Sequence, residues 1–176
     1  SEQTTADNEL VQLSDVCGIE SGLIDPKIFP YKEQTHVGAG NIVSSSNELI
    51  ELKTAEQEKL TSGKYPFDET TVLYSKIRPY LKKVHLPNFK GICSADMYPL
   101  KPNSEKLDRE YLFYVLLSEN FTNYAIAGSA RAGMPKVNRN HLFAYPFSLP
   151  TLEKQKNLIK VLNTAFTSKS ELEEII

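Results

Sequence analysis

Residues 72–84 read Val-Leu-Tyr-Ser-Lys-Ile-Arg-Pro-Tyr-Leu-Lys-Lys-Val, and apolar and basic side chains are interleaved through the run. This mixture predicts short, half-buried strands whose other face is cationic. Pro79 cannot donate a hydrogen bond to a strand ladder, which favours a bend or a sheet edge at Arg78-Pro79-Tyr80. Gly91 opens a further predicted strand, Ile92 to Leu100. The stretch therefore predicts a sheet that carries a bent basic segment.

The formal net charge of −2 over 176 residues conceals an uneven distribution. Residues 1–70 carry five Lys or Arg against thirteen Asp or Glu. Between Thr71 and Asn103 one acid, Asp96, faces six basic residues, namely Lys76, Arg78, Lys82, Lys83, Lys90 and Lys101. Because salt screens distant charges, the local excess matters more to a contact than the average. The distribution predicts a basic surface.

Two interpretations of this basic stretch stand side by side. A bent, basic strand pair that bears aromatic side chains suits contact with nucleic-acid phosphates. Alternatively, it is a solvated sheet face whose lysines protect strand edges from aggregation. Composition alone favours neither.

A second candidate segment spans residues 128–140, which contain glycines and no acidic residue. Glycine permits close approach of the backbone to a ligand. Arg, Lys and Asn are the side chains that suit guanine, phosphate and adenine contacts, which draws attention to Arg131, Lys136, Asn138 and Arg139. The alternative is a surface connection that happens to be basic.

Two helices are predicted in the second half of the chain. The first runs from Asp108 to near Ala127-Gly128 with helical spacing of its apolar residues, and we expect it to be a core helix on the sheet. After a short strand at 145–150, Thr151 starts the second. Its apolar positions form a heptad seam for a partner helix, interrupted by Lys169: Leu158, Leu162, Ala165, Leu172 and Ile176.

The first half contains weaker signals. Strands are predicted at Leu10–Leu13, Thr35–Val37 and Asn47–Leu52, with a tight turn at Gly38–Asn41. We do not interpret that glycine pair as a dinucleotide-binding loop, because the third glycine and the following helix are missing. Residues 54–60 predict a short helix that Thr54 caps with Gln57.

Signatures of catalysis are missing. The three histidines lie far apart without a second ligand at zinc spacing, and no P-loop or nucleophile elbow is present. The glycine-rich cofactor loop and Asn/Asp-Pro-Pro-aromatic motif of a DNA methyltransferase are absent too. Glu51-Leu52-Lys53 matches the tail of a nuclease signature but lacks its Pro-Asp partner. We expect a non-catalytic protein without metal or cofactor.

The length of the apolar runs and the number of cysteines indicate the cellular compartment. No apolar run approaches the roughly 20 residues that span a bilayer. Two cysteines, Cys17 and Cys93, are too few for a disulfide framework, so a reducing cytoplasm is expected.

Four segments, taken in order, resemble the DNA specificity subunit of type I restriction–modification systems, and in particular one target-recognition domain. They are Leu13–Cys17, His36–Ile42, Val72–Val84 with Ile92–Asp96, and Lys136–Asn138 through Phe147–Gln155. The usual Gly-Thr-Thr-Pro-like turn after the first strand is replaced by Gly18–Gly22.

The resemblance implies a subunit that reads DNA while separate modification subunits methylate adenine and a restriction subunit translocates and cuts. Full-length members hold two recognition domains, each reading one half of a bipartite site. This chain is expected to be a fragment, or a half-length subunit that pairs with a second specificity half or as a homodimer.

The predicted fold is α+β: a small, twisted, mostly antiparallel or mixed sheet with a packed core helix, followed by a C-terminal spacer helix of the coiled-coil type. We assign residues 1–150 to the recognition domain and 151–176 to the start of the spacer helix.

The DNA-binding hypothesis combines the two basic segments, residues 76–83 and 131–140, into one major-groove surface. Phosphates are assigned to Lys82, Lys83 and Lys136, and base edges to Arg78, Arg131, Asn138 and Arg139. Lys76 belongs to the same surface, and Tyr80 is expected to pack on sugar or base. A protein-interaction module that docks through its helices stays open as an alternative, with a nuclease using Glu51 and Lys53 third.

Overall fold

The structure is a computed structural model that describes residues 8–130 and 133–175, with side-chain surroundings through residue 169. Its strands are β1 (Asn8–Gln12), β2 (Cys17–Gly18), β3 (Thr35–Val37), β4 (Lys53–Thr54), β5 (Tyr65–Phe67), β6 (Val72–Ser75), β7 (Val84–His85), β8 (Gly91–Cys93), β9 (Met97–Pro102) and β10 (Pro146–Pro150). Its α-helices are α1 (Leu13–Val16), α2 (Arg109–Leu117), α3 (Glu119–Ala127), α4 (Arg139–Phe143) and α5 (Leu152–Ile175). Short 3-10 helices lie at Tyr31–Glu33, Ala39–Asn41 and Pro79–Leu81.

The described strands form three sheets. The order β2-β9-β6-β7 is antiparallel throughout, whereas β4-β3-β8-β5 is mixed because β3 and β8 run parallel. Strands β1 and β10 pair antiparallel near the two ends of the domain. The predicted α+β class is confirmed.

Strand β6 lies between two hydrophobic clusters. Val72 and Tyr74 belong to the larger cluster, where the Tyr74 ring meets Phe121 of α3 edge to face at 5.4 Å. Leu73 points to the smaller cluster, with Met97. The prediction of a half-buried strand with a cationic face is therefore wrong here: β6 is buried on both sides, and the basic residues begin where it ends.

The predicted strand from Ile92 to Leu100 is also wrong as a single element. Its residues divide between β8 and β9, which belong to different sheets. A turn separates them, in which Met97 N donates to Ser94 O at 2.9 Å and Asp96 N donates to Ser94 Oγ at 3.1 Å. The chain uses this turn to pass from one sheet to the next.

The long helix predicted from Asp108 is two helices that meet at Ser118. Ser118 has extended backbone angles, and its Oγ accepts from Phe121 N at 3.3 Å as the N-cap of α3. The break lets both helices pack on β6, since each follows its own axis. Their inward side chains are buried, which confirms the predicted core role: Leu112, Phe113, Leu116, Phe121 and Ala125.

Two predicted elements of the first half do not form: residues 55–59 are turns, and residues 47–52 keep only an isolated bridge between Leu49 and Ile42. Thr54 N donates to Gln57 Oε1 at 2.8 Å and Gln57 N to Thr54 Oγ1 at 3.2 Å, so the predicted cap forms. The helix does not, because Lys59 takes a positive φ of 55° that leaves helical geometry. Glu51, with a φ of 55°, likewise lies where a strand was expected. The tight turn at Gly38–Asn41 is confirmed as a 3-10 turn.

Helix α5 is bonded to the domain through its first turns. Gln155 is fully buried: its amide donates to Lys106 O and Pro150 O, both at 2.8 Å, and its Oε1 accepts from Asp108 N at 2.8 Å. Further along, Phe166 meets the rings of Phe113 and Tyr114 at 5.9 Å. The helix therefore packs on α2 with a face that the heptad pattern did not identify.

The predicted seam lies partly outside that face. Leu158 and Leu162 are half-buried and Ala165 is exposed, with Val161 beside them 67% exposed. Leu172 falls within α5 but beyond the described side chains, and Ile176 lies outside the described residues. The partner-helix role and the boundary at residue 150 remain predictions. Among the described helices, none combines the length and apolarity needed to cross a membrane.

Replacing Gln155 by alanine is expected to lower the free energy of unfolding by about 2–4 kcal/mol, because a fully buried side chain is lost and three backbone groups lose their partner. Urea denaturation measures the change. The matched control is Lys156→Ala at the next, exposed position, expected within about 0.5 kcal/mol of wild type. Equal effects at the two positions would contradict the role of Gln155.

The free energy of unfolding is also expected to fall as the pH drops below about 6.5. Burial lowers the pKa of His85 from 6.5; the hydrogen bond from its Nδ1 to Asn47 O opposes this shift and the Arg109 guanidinium adds to it. The neutral imidazole thus stabilises the fold above the unfolded-state pKa, and this stabilisation is lost as the pH falls toward the folded-state pKa.

His85→Gln keeps a donor for Asn47 O and removes the titration, so the dependence of unfolding free energy on pH should become shallower. It does not vanish, since burial lowers the pKa of His36 as well. An unchanged slope between about pH 7.5 and pH 5.5 would refute the contribution of His85.

Candidate nucleic-acid interface

The two basic segments meet through their backbones. Where β6 ends, Lys76 O accepts from Val137 N at 2.8 Å, and Arg78 N donates to Pro135 O at 3.0 Å. Between these bonds Ile77 and Lys136 form an antiparallel bridge. Backbones that are 60 residues apart in sequence thus lie side by side, and the Lys76, Lys136 and Arg139 side chains are close enough to affect one another electrostatically. We call the predicted set the basic surface, and its described members are Lys76, Arg78, Tyr80, Lys82, Lys83, Lys136, Asn138 and Arg139.

The first segment is the connection between β6 and β7, closed where Ser75 N donates to Lys83 O at 3.1 Å. It contains the 3-10 helix Pro79–Leu81, flanked by Arg78 and Lys82 in the left-handed conformation with φ of 48° each. Such geometry is uncommon for residues other than glycine, so surrounding contacts must hold it. The bend predicted at Pro79 is confirmed. It leaves Arg78 exposed and Tyr80 53% exposed.

The side chain of Tyr98 contacts both segments where their backbones pair. Its ring is buried in β9, and its hydroxyl donates to Val137 O at 2.9 Å. The Lys76 ammonium lies 5.2 Å from the ring centroid, in range for a cation–π interaction. Tyr98 therefore ties both segments to the core.

Crowding of positive charge is visible at Lys76. Burial lowers the pKa of its ammonium, and the neighbouring cations Lys136 and Arg139 lower it further, while Asp96 opposes them. A cluster of like charges of this kind attracts a polyanion.

Several predicted phosphate ligands already hold a partner. Lys82 forms an ion pair with Glu119, and Lys136 lies 3.5 Å from Asp96 Oδ1. Lys83 Nζ donates to Ala39 O at 2.7 Å. Lys82 and Lys136 are therefore partly neutralised within the protein, which the sequence did not indicate.

The predicted base-reading residues differ in their surroundings. Arg139 Nη2 donates to Tyr65 OH at 3.2 Å, while Arg78 shows no hydrogen bond or ion pair of its guanidinium within the described part of the chain. Asn138 is the N-cap of α4, where its Oδ1 accepts from His141 N at 2.8 Å. Bidentate pairing of Asn138 with adenine would require the same oxygen to accept a second hydrogen bond. Arg131 lies outside the described residues.

The loop that carries the second segment is held at its base. Lys136 N donates to Ser129 O at 3.4 Å, and Ser129 Oγ donates to Ile126 O at 2.9 Å. Gly133 takes a φ of 94°, a conformation that favours glycine.

An aromatic stack, absent from our sequence analysis, fixes the same loop. The rings of Tyr124 and His141 are parallel with centroids 4.0 Å apart, and Tyr124 OH donates to His141 O at 2.7 Å. The His141 ring covers Gly128, where an added Cβ would lie 2.1 Å from ring atoms. A glycine at 128 is therefore required by this packing.

No grouping of three or more His, Cys, Asp or Glu suited to a metal ion occurs among the residues that the structure describes. Burial raises the pKa of the Cys17 thiol to about 12, so this thiol stays protonated at neutral pH.

Comparisons with known proteins identify the family of this chain. The family model of the type I restriction modification DNA specificity domain matches residues 6–176. The type I restriction enzyme EcoDI specificity subunit of Escherichia coli is 32% identical over 164 residues, which are 93% of this chain and 36% of that subunit. The MjaVIII specificity subunit of Methanocaldococcus jannaschii is 36% identical over 75 residues, 42% of this chain and 17% of that subunit.

Among solved structures, the HsdS subunit of Thermoanaerobacter tengcongensis superposes with a TM-score of 0.84 at 23% identity, covering 97% of this chain and 45% of that subunit. An S subunit of a type I system from M. genitalium gives a TM-score of 0.61 at 11% identity, with 93% and 40% covered. The chain thus spans about a third of the E. coli relative and less than half of these structural neighbours.

Gly128→Ala is expected to lower the free energy of unfolding by about 1–3 kcal/mol, because the new Cβ displaces the His141 ring. The matched control is Gly22→Ala, where an added Cβ meets no atom within 4 Å. Thermal or urea denaturation of both variants measures the difference. Equal stability of the two variants would show that the stack tolerates displacement.

Proposed function

Because the chain belongs to the type I restriction modification DNA specificity domain family, we propose that it reads one half of a bipartite target in double-stranded DNA. One observation carries the proposal: backbone hydrogen bonds hold the two basic segments side by side. A cationic surface of this extent suits a DNA backbone, and its arginines suit base edges.

The residues divide by chemistry. Arg78 and Arg139 are the described candidates for base edges, since a guanidinium pairs bidentately with guanine. Contact with base edges remains a prediction for Arg131 and Asn138. Phosphates are bound by Lys76, Lys82, Lys83 and Lys136, and the exposed ring of Tyr80 packs on sugar or base.

The chain itself performs no catalysis in this proposal. By recognising DNA it directs modification subunits that methylate and a restriction subunit that translocates and cuts, in the cytoplasm. Residues 1–150 form the recognition domain, and the helix from residue 151 meets a second specificity half, a homodimer mate or a partner subunit through its seam.

A docking module without DNA contact is the second candidate, and the exposed Val161 beside the partly buried seam of α5 favours it. Salt dependence distinguishes the two. Phosphate contacts make DNA affinity fall steeply between low and physiological ionic strength, whereas a pure docking module shows no such DNA binding.

The test uses the chain assembled with its modification subunits and a pool of duplexes with randomised sequence. The wild type is expected to enrich a defined half-site. Arg78→Ala is expected to lose about 1–3 kcal/mol on the enriched sequence and to relax one or two base positions. Sequencing of the bound fraction and titration of the enriched duplex measure both effects.

Two variants serve as references. Lys83→Ala is expected to weaken all sequences alike and to lower the salt slope by roughly one unit. Lys106 is an exposed lysine just before α2. Lys106→Ala is expected to change neither the affinity for DNA nor the salt slope. If Arg78→Ala and the wild type enrich the same DNA sequences, Arg78 does not read a base.

A further inference from the structure

Two carboxylates stand within the basic surface. Glu119 pairs with Lys82 and is 76% exposed, while Asp96 lies 3.5 Å from Lys136 with its side chain 47% exposed. Both acids thus sit at positions that a DNA phosphate would approach. Both face lysines assigned to phosphates.

The fold gains little from these pairs. Exposed ion pairs stabilise proteins by about 0–1 kcal/mol. The start of α3 already has its cap in Ser118, so Glu119 is not needed to satisfy that helix end. The turn at Asp96 is formed by its backbone and by Ser94, with Lys76 N donating to Asp96 O at 3.0 Å. Neither carboxylate group is therefore needed to form the helix end or the turn at which it lies.

We propose that Glu119 and Asp96 lower the sequence-independent part of the affinity for DNA by competing with phosphates for Lys82 and Lys136. This inference rests on the proposed function. It assigns to two acidic residues the task of limiting retention on DNA of any sequence, while Arg78 and Arg139 carry no carboxylate partner among the described residues.

The physical basis is exchange of one anion for another. A lysine that is already neutralised by a carboxylate neutralises less phosphate charge, so its contact releases fewer of the counterions condensed on the DNA. The carboxylate that remains nearby also repels the incoming phosphate by Coulomb interaction. Both effects act on every duplex, whatever its sequence.

The experiment measures binding of Glu119→Gln to a duplex of arbitrary sequence, with the chain assembled with its modification subunits. The affinity is expected to rise about threefold to tenfold at low salt. The plot of log affinity against log salt concentration is expected to steepen by about one unit, since Lys82 now binds phosphate unopposed. Asp96→Asn tests the second pair with the same expectation.

Glu20→Gln is the matched control. Glu20 forms an ion pair with Lys101 at 2.9 Å and is 70% exposed, so the substitution changes charge and breaks a pair in the same way. Lys101 lies at the other end of β9 from Tyr98. We expect this variant to match wild-type DNA binding within about twofold, the remaining effect being long-range and screened.

A double-mutant cycle isolates the pair. Lys82→Gln is expected to weaken binding more in the Glu119→Gln background than in the wild type, because only there is the lysine fully available. Unchanged or weaker binding by both Glu119→Gln and Asp96→Asn would overturn the proposal and leave the pairs with a structural role.

The same data separate this inference from the function it rests on. If the affinity of the wild type for the duplex does not depend on salt, both the proposed function and this inference are wrong. If that affinity depends steeply on salt but the carboxylate variants behave like Glu20→Gln, only this inference is wrong.

Discussion

The backbone hydrogen bonds between residues 76–78 and 135–137 are the constraint on which the candidate interface depends. They engage N–H and C=O groups that every non-proline residue carries, so they set the position of the two segments without fixing the side chains. The exposed side chains of the two segments can therefore change while the backbone that presents them stays the same.

The core supplies the rigidity behind that pairing. Strand β6 is buried on both faces, and its neighbour β9 contributes Tyr98, which lies opposite Tyr74 in the ladder. The hydroxyl of Tyr98 reaches the backbone of Val137, a fully buried residue. The basic surface therefore adjoins the core, and the packing of Tyr98 at the end of β6 supports the basic residues that follow it.

The cations of the basic surface are of two kinds, those with a partner within the protein and those without one among the described residues. Lys82 and Lys136 sit beside carboxylates, and Lys83 is tied to a backbone carbonyl, whereas the Arg78 guanidinium stands exposed on a bend of unusual geometry. Burial, and after it the like charges of Lys136 and Arg139, lower the pKa of the Lys76 ammonium. Acidic neighbours relieve part of that repulsion, and a polyanion would relieve more.

Local chemistry in the sequence determined much of this protein. The alternation of apolar and basic residues marked the 72–84 stretch, Pro79 marked the bend, and the segment order carried the family resemblance. Thr54 and Gln57 formed their cap, although Lys59 stopped the helix. Such features depend on neighbours within a few residues, which is why a sequence pattern can predict them.

Only the tertiary structure decided which segments meet. That β6 is buried on both faces follows from a second sheet that no periodicity in residues 72–75 could reveal, and the break at Ser118 follows from packing two helices on one strand. The roles of Tyr98, Glu119 and Gln155 arise from contacts over 37 to 49 residues. Contacts at that separation depend on the path of the whole chain, and a linear pattern does not encode that path in any one stretch.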